Sequence, residues 1–223
     1  MSRLMACRLS LLCLLLVGAL LAPGLTAANT GQVQGTLALD PVRSIALPMR
    51  YKSRTRTPIL APDPPRAIVY LEREDGRYPN SHTPDLIEIR QEGYQFRPDI
   101  VAVRVGTKVA FPNRDDEFHS VFSYSPIKRF DLGRFRKDEP SPLIAFDQPG
   151  LAKVYCEIHK HMRSFVLVLE TPWFTATSND GSFLLDNIPP GDYRIRALLP
   201  TEETREGRIT VRAGQNTQAT FEH

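Results

Sequence analysis

Short runs that alternate apolar and polar residues recur along this chain, and that period of two dictates what it can fold into. Leu86 to Gln91 (LIEIRQ), Asp99 to Gly106 (DIVAVRVG), KVAFPN, LAKVYC, SFVLVLE, DYRIRALL and GRITVRAG all read as strands, bounded by Gly, Pro, Asn or Asp. Alternation sends successive side chains to opposite faces, which suits a half-buried strand and not a helix. No amphipathic stretch longer than a few turns interrupts it, and 19 prolines in 223 residues work against helices. The expectation is an all-β chain folded into sandwiches.

The first 28 residues are of another kind. Arg3 and Arg8 precede an apolar run from Leu9 to Leu21, and Thr26-Ala27-Ala28 offers small residues for cleavage. This order is that of a secretory signal peptide, and the run is too short to span a bilayer comfortably. Cys13 follows Leu12 and sits too early for a lipoprotein site, and no twin-arginine pair is present. The chain is therefore expected in the periplasm without a stable membrane anchor. Loss of Arg3 and Arg8 lowers the net charge from +3 to +1, which argues against a nucleic-acid partner. Cys7 and Cys13 leave with the signal, so Cys156 is the one cysteine of the mature chain. Exported proteins use cysteines in pairs, and a lone thiol there calls for burial, a partner or a metal.

About 195 residues remain, enough for one large or two small domains. Residues 29–74 hold GQVQGTLAL and RAIVYLE, with a basic, proline-rich loop (PMRYKSRTRTPILAPDPPR) between them. Residues 75–171 contain most of the alternating strands. Residues 172–223 carry two turn signals, Asp180-Gly181 and Pro190-Gly191, both read as hairpin turns.

The chemistry concentrates in Val154 to Met162 (VYCEIHKHM). Cys156, His159 and Met162 have the spacing C-x-x-H-x-x-M, and a Pro149-Gly150 turn feeds the strand that delivers the cysteine. Upstream, VGTKVAFPNRDDEFHSVFS gives a strand, a turn after Asn113, and His119. Two imidazoles, one thiolate and a thioether make the ligand set of a blue copper site, trigonal with a weak axial Met. Soft sulfur holds Cu(I), imidazole accepts both oxidation states, and a compromise site needs little rearrangement on electron transfer.

On these residues the stretch from Asp85 to Glu170 resembles a cupredoxin of the plastocyanin and amicyanin group. The resemblance rests on RPDIVAVRVGTKVAFPN, His119, the Pro-Gly turn and the amicyanin-type cysteine loop. The phrase FHSVFSYSPIKRFDLG is similar to exported bacterial proteins labelled "methylamine utilization protein" or plastocyanin-like. The resemblance implies a Greek-key sandwich with one type 1 copper ion at one end. It makes His119 the first ligand and Cys156, His159 and Met162 the others.

Zinc also binds Cys and His, but Met is not a usual zinc ligand and no carboxylate in the motif completes a catalytic set. A thiol nucleophile lacks any marked orienting group. A purely structural buried thiol fits poorly beside Glu157, His159, Lys160 and His161. His161 could replace His159, but a tight loop cannot easily aim two consecutive side chains, His161 and Met162, at one ion. His161 is then expected to be an exposed neighbour, and His82 and His223 solvated. Asn113 could bond across to the ligand loop. Ser120 stands where many cupredoxins resemble one another in having Asn, which leaves open how that loop is tied down. Phe118 and Tyr155 are read as core packing.

The resemblance also implies an electron path through the edge of His159. Lys160 and His161 make its surroundings polar, and Lys128, Arg129, Arg134, Arg136 and Lys137 form a basic cluster that would favour an acidic redox partner if it faces the copper end. The outer pieces resemble the two halves of a carboxypeptidase regulatory-like, transthyretin-like β-sandwich. Residues 31–74 would then pair with 172–223, with the cupredoxin inserted between junctions near Glu74 and Glu170. The functional expectation is a one-electron carrier that is not an enzyme. The alternatives are a copper-holding or delivery protein and a β-sandwich interaction module.

Overall fold

The computed structural model describes residues 29–40, 58–79 and 85–221. The proposed signal segment, residues 48–57 of the basic loop, His82 and His223 lie outside them. Among the described residues the chain is all-β. Its strands are β1 (Gly31–Thr36), β2 (Ile68–Arg73), β3 (Leu86–Glu88), β4 (Arg90–Gln91), β5 (Phe96–Arg97), β6 (Ile100–Arg104), β7 (Thr107–Ala110), β8 (His119–Ser125) and β9 (Lys128–Phe135). There follow β10 (Ile144–Phe146), β11 (Gly150–Tyr155), β12 (Arg163–Leu169), β13 (Phe174–Ala176), β14 (Ser182–Ile188), β15 (Gly191–Leu198), β16 (Thr204–Val211) and β17 (Asn216–Gln218). No helix of the described residues is long and apolar enough to cross a membrane.

The strands make two sandwiches. In the inner one, a five-stranded sheet ordered β6-β12-β11-β8-β9 faces a three-stranded sheet ordered β10-β7-β3, with the β4–β5 ribbon beside them. β6 pairs with β12 in parallel and β3 with β7 in parallel, while the β8–β9 and β11–β12 hairpins are antiparallel. The first strand of the larger sheet thus lies beside the last, a Greek key. Ala152 and Val154 of β11 point inward with Phe111, Val121, Phe146 and Val166, and the residues between them on β11 point out.

In the outer sandwich, β14-β1-β17 faces β13-β2-β15-β16. β1 alternates without exception, burying Val33 and exposing Gln32 and Gln34. Trp173 packs edge-on against Tyr193 with ring centroids 5.4 Å apart, over Leu71, Ile195 and Val33. β1 pairs with β14 and β17, and β2 with β13 and β15, so strands from both ends of the sequence share these sheets. The Leu71 amide donates to the Trp173 carbonyl at 2.9 Å, which brings the chain entering and leaving the inner sandwich side by side.

Two strands are buried over four or more consecutive residues, and the reason is where they sit. Ile68–Leu71 of β2 and Ser164–Leu169 of β12 are buried throughout. Val69 and Leu71 face the outer core and Val166 and Val168 the inner one. Their opposite faces meet: Ile68 and Tyr70 join Phe165, Leu167, Leu169 and Leu198 in a third apolar cluster between the sandwiches. A strand covered on both faces reads as a continuous apolar run.

The two turn signals are turns but close no hairpin. Asp180-Gly181 leads from β13 to β14 and Pro190-Gly191 from β14 to β15, and each passes from one sheet of the outer sandwich to the other. Gly181 has φ +82°, and a Cβ there would meet the Leu37 carbonyl oxygen at 1.9 Å, so the turn accepts only glycine at this approach.

Candidate metal centre

The site lies at one end of the inner sandwich, where two segments meet. His119 opens β8, and the link from β11 to β12 supplies residues 156–162. That link closes on itself: the Met162 amide donates to the His159 carbonyl at 2.8 Å and the Cys156 amide to the Met162 carbonyl at 3.3 Å. Cys156, His159 and Met162 are thereby held in one tight loop.

His119, Cys156 and His159, all buried, bring one donor atom each to within 4.8 Å of one another. His119 Nδ1 stands 3.0 Å from His159 Nδ1, and Cys156 Sγ stands 4.0 and 3.7 Å from those two nitrogens. Donors sharing one first-row ion at bond lengths near 2.0 Å to nitrogen and 2.3 Å to sulfur lie about 3–4 Å apart, so the trio fits a single ion. Met162 is buried in the same apolar cluster as Cys156. A thiolate, two imidazoles and a thioether in a dry pocket suit copper.

The electrostatics prepare the cysteine as a ligand. Burial pushes the Cys156 thiol up, but hydrogen bonds from His119, His159 and the Ser120 amide outweigh it and bring the pKa down to about 5. The thiolate, the form that binds metal, is then present at neutral pH. Burial also opposes charge on His119, yet the Asp115 carboxylate and the Cys156 sulfur raise its pKa.

Ser120 ties the cysteine loop to the histidine strand. Its hydroxyl accepts from the Glu157 amide at 2.8 Å, its Oγ lies 3.9 Å from Cys156 Sγ, and its amide donates to that sulfur at 3.5 Å. A short side chain suffices because the backbone itself reaches the sulfur.

Several neighbours sit elsewhere than expected. Asn113 does not reach across to the cysteine loop. Its Nδ2 donates to the Glu117 and Phe135 carbonyls and its Oδ1 accepts from the Asp115 amide, bracing the turn before His119. Phe118 is 41% exposed, with the Arg136 guanidinium 4.4 Å over its ring, so it is a surface aromatic paired with a cation. His161 is half-buried: its ring Nε2 stands 3.0 Å from the Tyr94 carbonyl, and burial lowers its pKa. His159 does not open onto solvent. It is 5% exposed, and the Tyr94 ring stands edge-on to it at 5.1 Å and to His119 at 5.8 Å. Much of the basic cluster is internally paired, Lys128 with Asp147, Arg134 with Glu157 and Lys137 with Asp116.

Two residues carry weight that the sequence did not announce. Tyr94, with φ +63°, caps both imidazoles. Its loop is braced by the segment after residue 58: Arg97 bonds to Asp63 and the Ala61 carbonyl, and Gln95 Nε2 donates to the Leu60 carbonyl at 2.7 Å. Asp115, 2% exposed, meets His119 Nε2 at 2.8 Å through Oδ2. The one sequence cue was an acid four residues ahead of the histidine in NRDDEFH.

No family model and no curated protein matches the chain. Solved structures do. A Cu(I) form of an amicyanin variant is 21% identical, covers 37% of this chain and 81% of its own, and superposes with a TM-score of 0.35. A purple cupredoxin from Nitrosopumilus maritimus is 24% identical over 34% of this chain and 82% of its own, with a TM-score of 0.31. The copper-containing nitrite reductase of Thermus scotoductus is 25% identical over 40% of this chain, with a TM-score of 0.36, and the match spans 23% of that enzyme. The case for a metal here rests on the donor atoms.

Proposed function

We propose that this chain is a type 1 blue copper protein that carries single electrons between partners by outer-sphere transfer, and is not an enzyme. The observation that carries the reading is the buried convergence of His119 Nδ1, His159 Nδ1 and Cys156 Sγ within 4.8 Å. We assign these three as ligands, with Met162 as the axial fourth. Copper, when bound, supplies a one-electron couple. The protein's own contribution is rigidity: His119 is fixed by a sheet, Cys156 by Ser120, and the loop by its two backbone bonds. Donors that cannot move far favour fast transfer over turnover.

The proposal extends to the finer kinship and the setting. We read the inner sandwich as amicyanin-like, within the exported group labelled plastocyanin-like or methylamine utilization protein. We read the chain as periplasmic after loss of residues 1–28, with residues 75–171 as the copper domain. Residues 29–74 and 172–223 would form one regulatory-like sandwich, a division supported by the pairing of β1 and β2 with strands from the C-terminal piece. Limited proteolysis of a chain lacking residues 172–223 should then cut the N-terminal piece, and its protection would refute the division. The redox partner is proposed to be a protein with acidic groups near Phe118 and Arg136. Transfer rates with the true partner should fall as salt rises, and a flat profile would remove this claim.

The deciding experiment is absorption spectroscopy of the purified protein loaded with Cu(II). An intense blue thiolate-to-copper band is expected, abolished by reduction and by Cys156→Ser. A colourless protein with tight Cu(I) binding would instead indicate a copper-holding or delivery protein. Absence of copper binding would leave an interaction module.

A further inference from the structure

Asp115 is a carboxylate buried in a loop at the metal end, and a buried charge is costly unless it is fully paired. Its pairing is complete and unusual. Oδ1 accepts from the Gly93 amide at 2.7 Å, and Oδ2 accepts from the Tyr94 amide at 2.9 Å and from His119 Nε2 at 2.8 Å. Its own amide donates to Asn113 Oδ1 at 2.9 Å. The side chain it meets is the His119 imidazole. No strand or core contact requires an acid here; a neutral carbonyl could accept the imidazole proton equally well. What an acid adds is charge and a fixed polarity.

Both consequences follow from elementary chemistry. An ionised carboxylate only accepts, so Nε2 of His119 must carry the proton between them, and Nδ1 is the ring nitrogen left to face Cys156 and His159 as donor to a bound ion. The negative charge reaches the donor nitrogen through the ring and makes it more basic, which favours the more highly charged state of a bound ion. The amides of Gly93 and Tyr94 fix the carboxylate, so the same contacts seat the Tyr94 ring over both histidines.

Resting on the copper reading above, we propose that Asp115 is a positioning residue that sets the His119 tautomer and biases the centre toward Cu(II). The test is Asp115→Asn, which keeps the shape, removes the charge and turns one N–H toward an amide donor. Relative to the wild type, Cu(II) affinity measured by competition should fall by about ten- to a hundredfold. Cu(I) affinity should fall less. The reduction potential should therefore rise, by about 59 mV for each tenfold of that difference. An unchanged or lower potential in a folded variant with an intact blue band overturns the proposal. A wild-type protein with no blue band fails earlier and overturns the copper reading itself. If the variant does not fold, NMR of the copper-free wild-type protein, above the pH at which His119 loses its second proton, decides. A slowly exchanging proton on His119 Nε2 is expected, and a proton on Nδ1 overturns the assignment.

Discussion

The two sandwiches bury polar groups for different purposes. In the outer one the buried polar side chains serve the backbone: Thr177 Oγ1 accepts from the Ala67 amide at 3.0 Å and Thr171 Oγ1 from the Trp173 amide at 3.2 Å. Each closes a local gap where strands end. In the inner sandwich Asn113, Asp115, His119, Ser120 and His159 are buried together at one end, and their hydrogen bonds lead toward converging Nδ1 and Sγ atoms. Such a cluster would be unfavourable in a fold selected for stability alone. The inner sandwich has backbone-serving groups too, Gln91 on the Phe111 carbonyl and Ser164 on the Pro98 carbonyl; what it adds is this convergence, and that addition locates the chemistry.

The largest expected effect separates the two cores. Trp173 is 8% exposed and packs against Tyr78 and Tyr193 in the outer sandwich. Trp173→Ala should cost about 3–5 kcal/mol by chemical denaturation. The thiolate-to-copper band should survive, because none of the donor atoms touches that core. A variant that loses the band while its inner sandwich remains folded would contradict the separation of roles.

The next effect concerns the joint. Leu167 is 7% exposed and its side chain lies in the cluster between the sandwiches, on the face of β12 opposite Val166 and Val168. With that cluster intact the protein should unfold in a single calorimetric transition. Leu167→Ala should remove about 2–5 kcal/mol and split the transition in two, one half of which responds to copper. Two transitions already in the wild type would mean that the joint does not couple the sandwiches.

How much of this was readable follows from the range of each interaction. Strand positions were legible because alternation is a local signal. The joint was not legible: SFVLVLE reads as one short strand among others, and although an unbroken apolar stretch suits burial on both faces, nothing in it names a partner surface. Asp180-Gly181 specified a turn, since glycine supplies the positive φ, yet not which sheets it connects. At the site, Cys156 and His159 are three residues apart in one loop, so their meeting is a local matter. His119 lies 37 residues before Cys156 and entered through the resemblance. Asp115 and Tyr94 could not be found this way, because they meet through a backbone amide across 21 residues and an amide carries no side-chain signature. Phe118 misled because apolar type suggests core, whereas a guanidinium over its face makes exposure tolerable.

The smallest effect tests whether backbone strain or close packing makes glycine necessary, by setting one sandwich against the other. Gly181 in the outer sandwich and Gly133 in the inner one both have positive φ, +82° and +68°. A left-handed conformation costs an L-residue about 1–2 kcal/mol wherever it occurs. Around Gly133 a Cβ would meet nothing within 4 Å, so Gly133→Ala should cost that amount and no more. At Gly181 the added carbon would press on the Leu37 carbonyl, and the Leu37 amide donates to the Gly181 carbonyl at 3.0 Å. Backbone cannot rotate aside as a side chain can, so Gly181→Ala should cost more and should loosen β1 from β14. Denaturation midpoints give the difference, and amide exchange at Leu37 reports the loosening. Equal costs at the two positions would mean that φ alone decides, and that the contact with Leu37 is relieved by a small backbone shift.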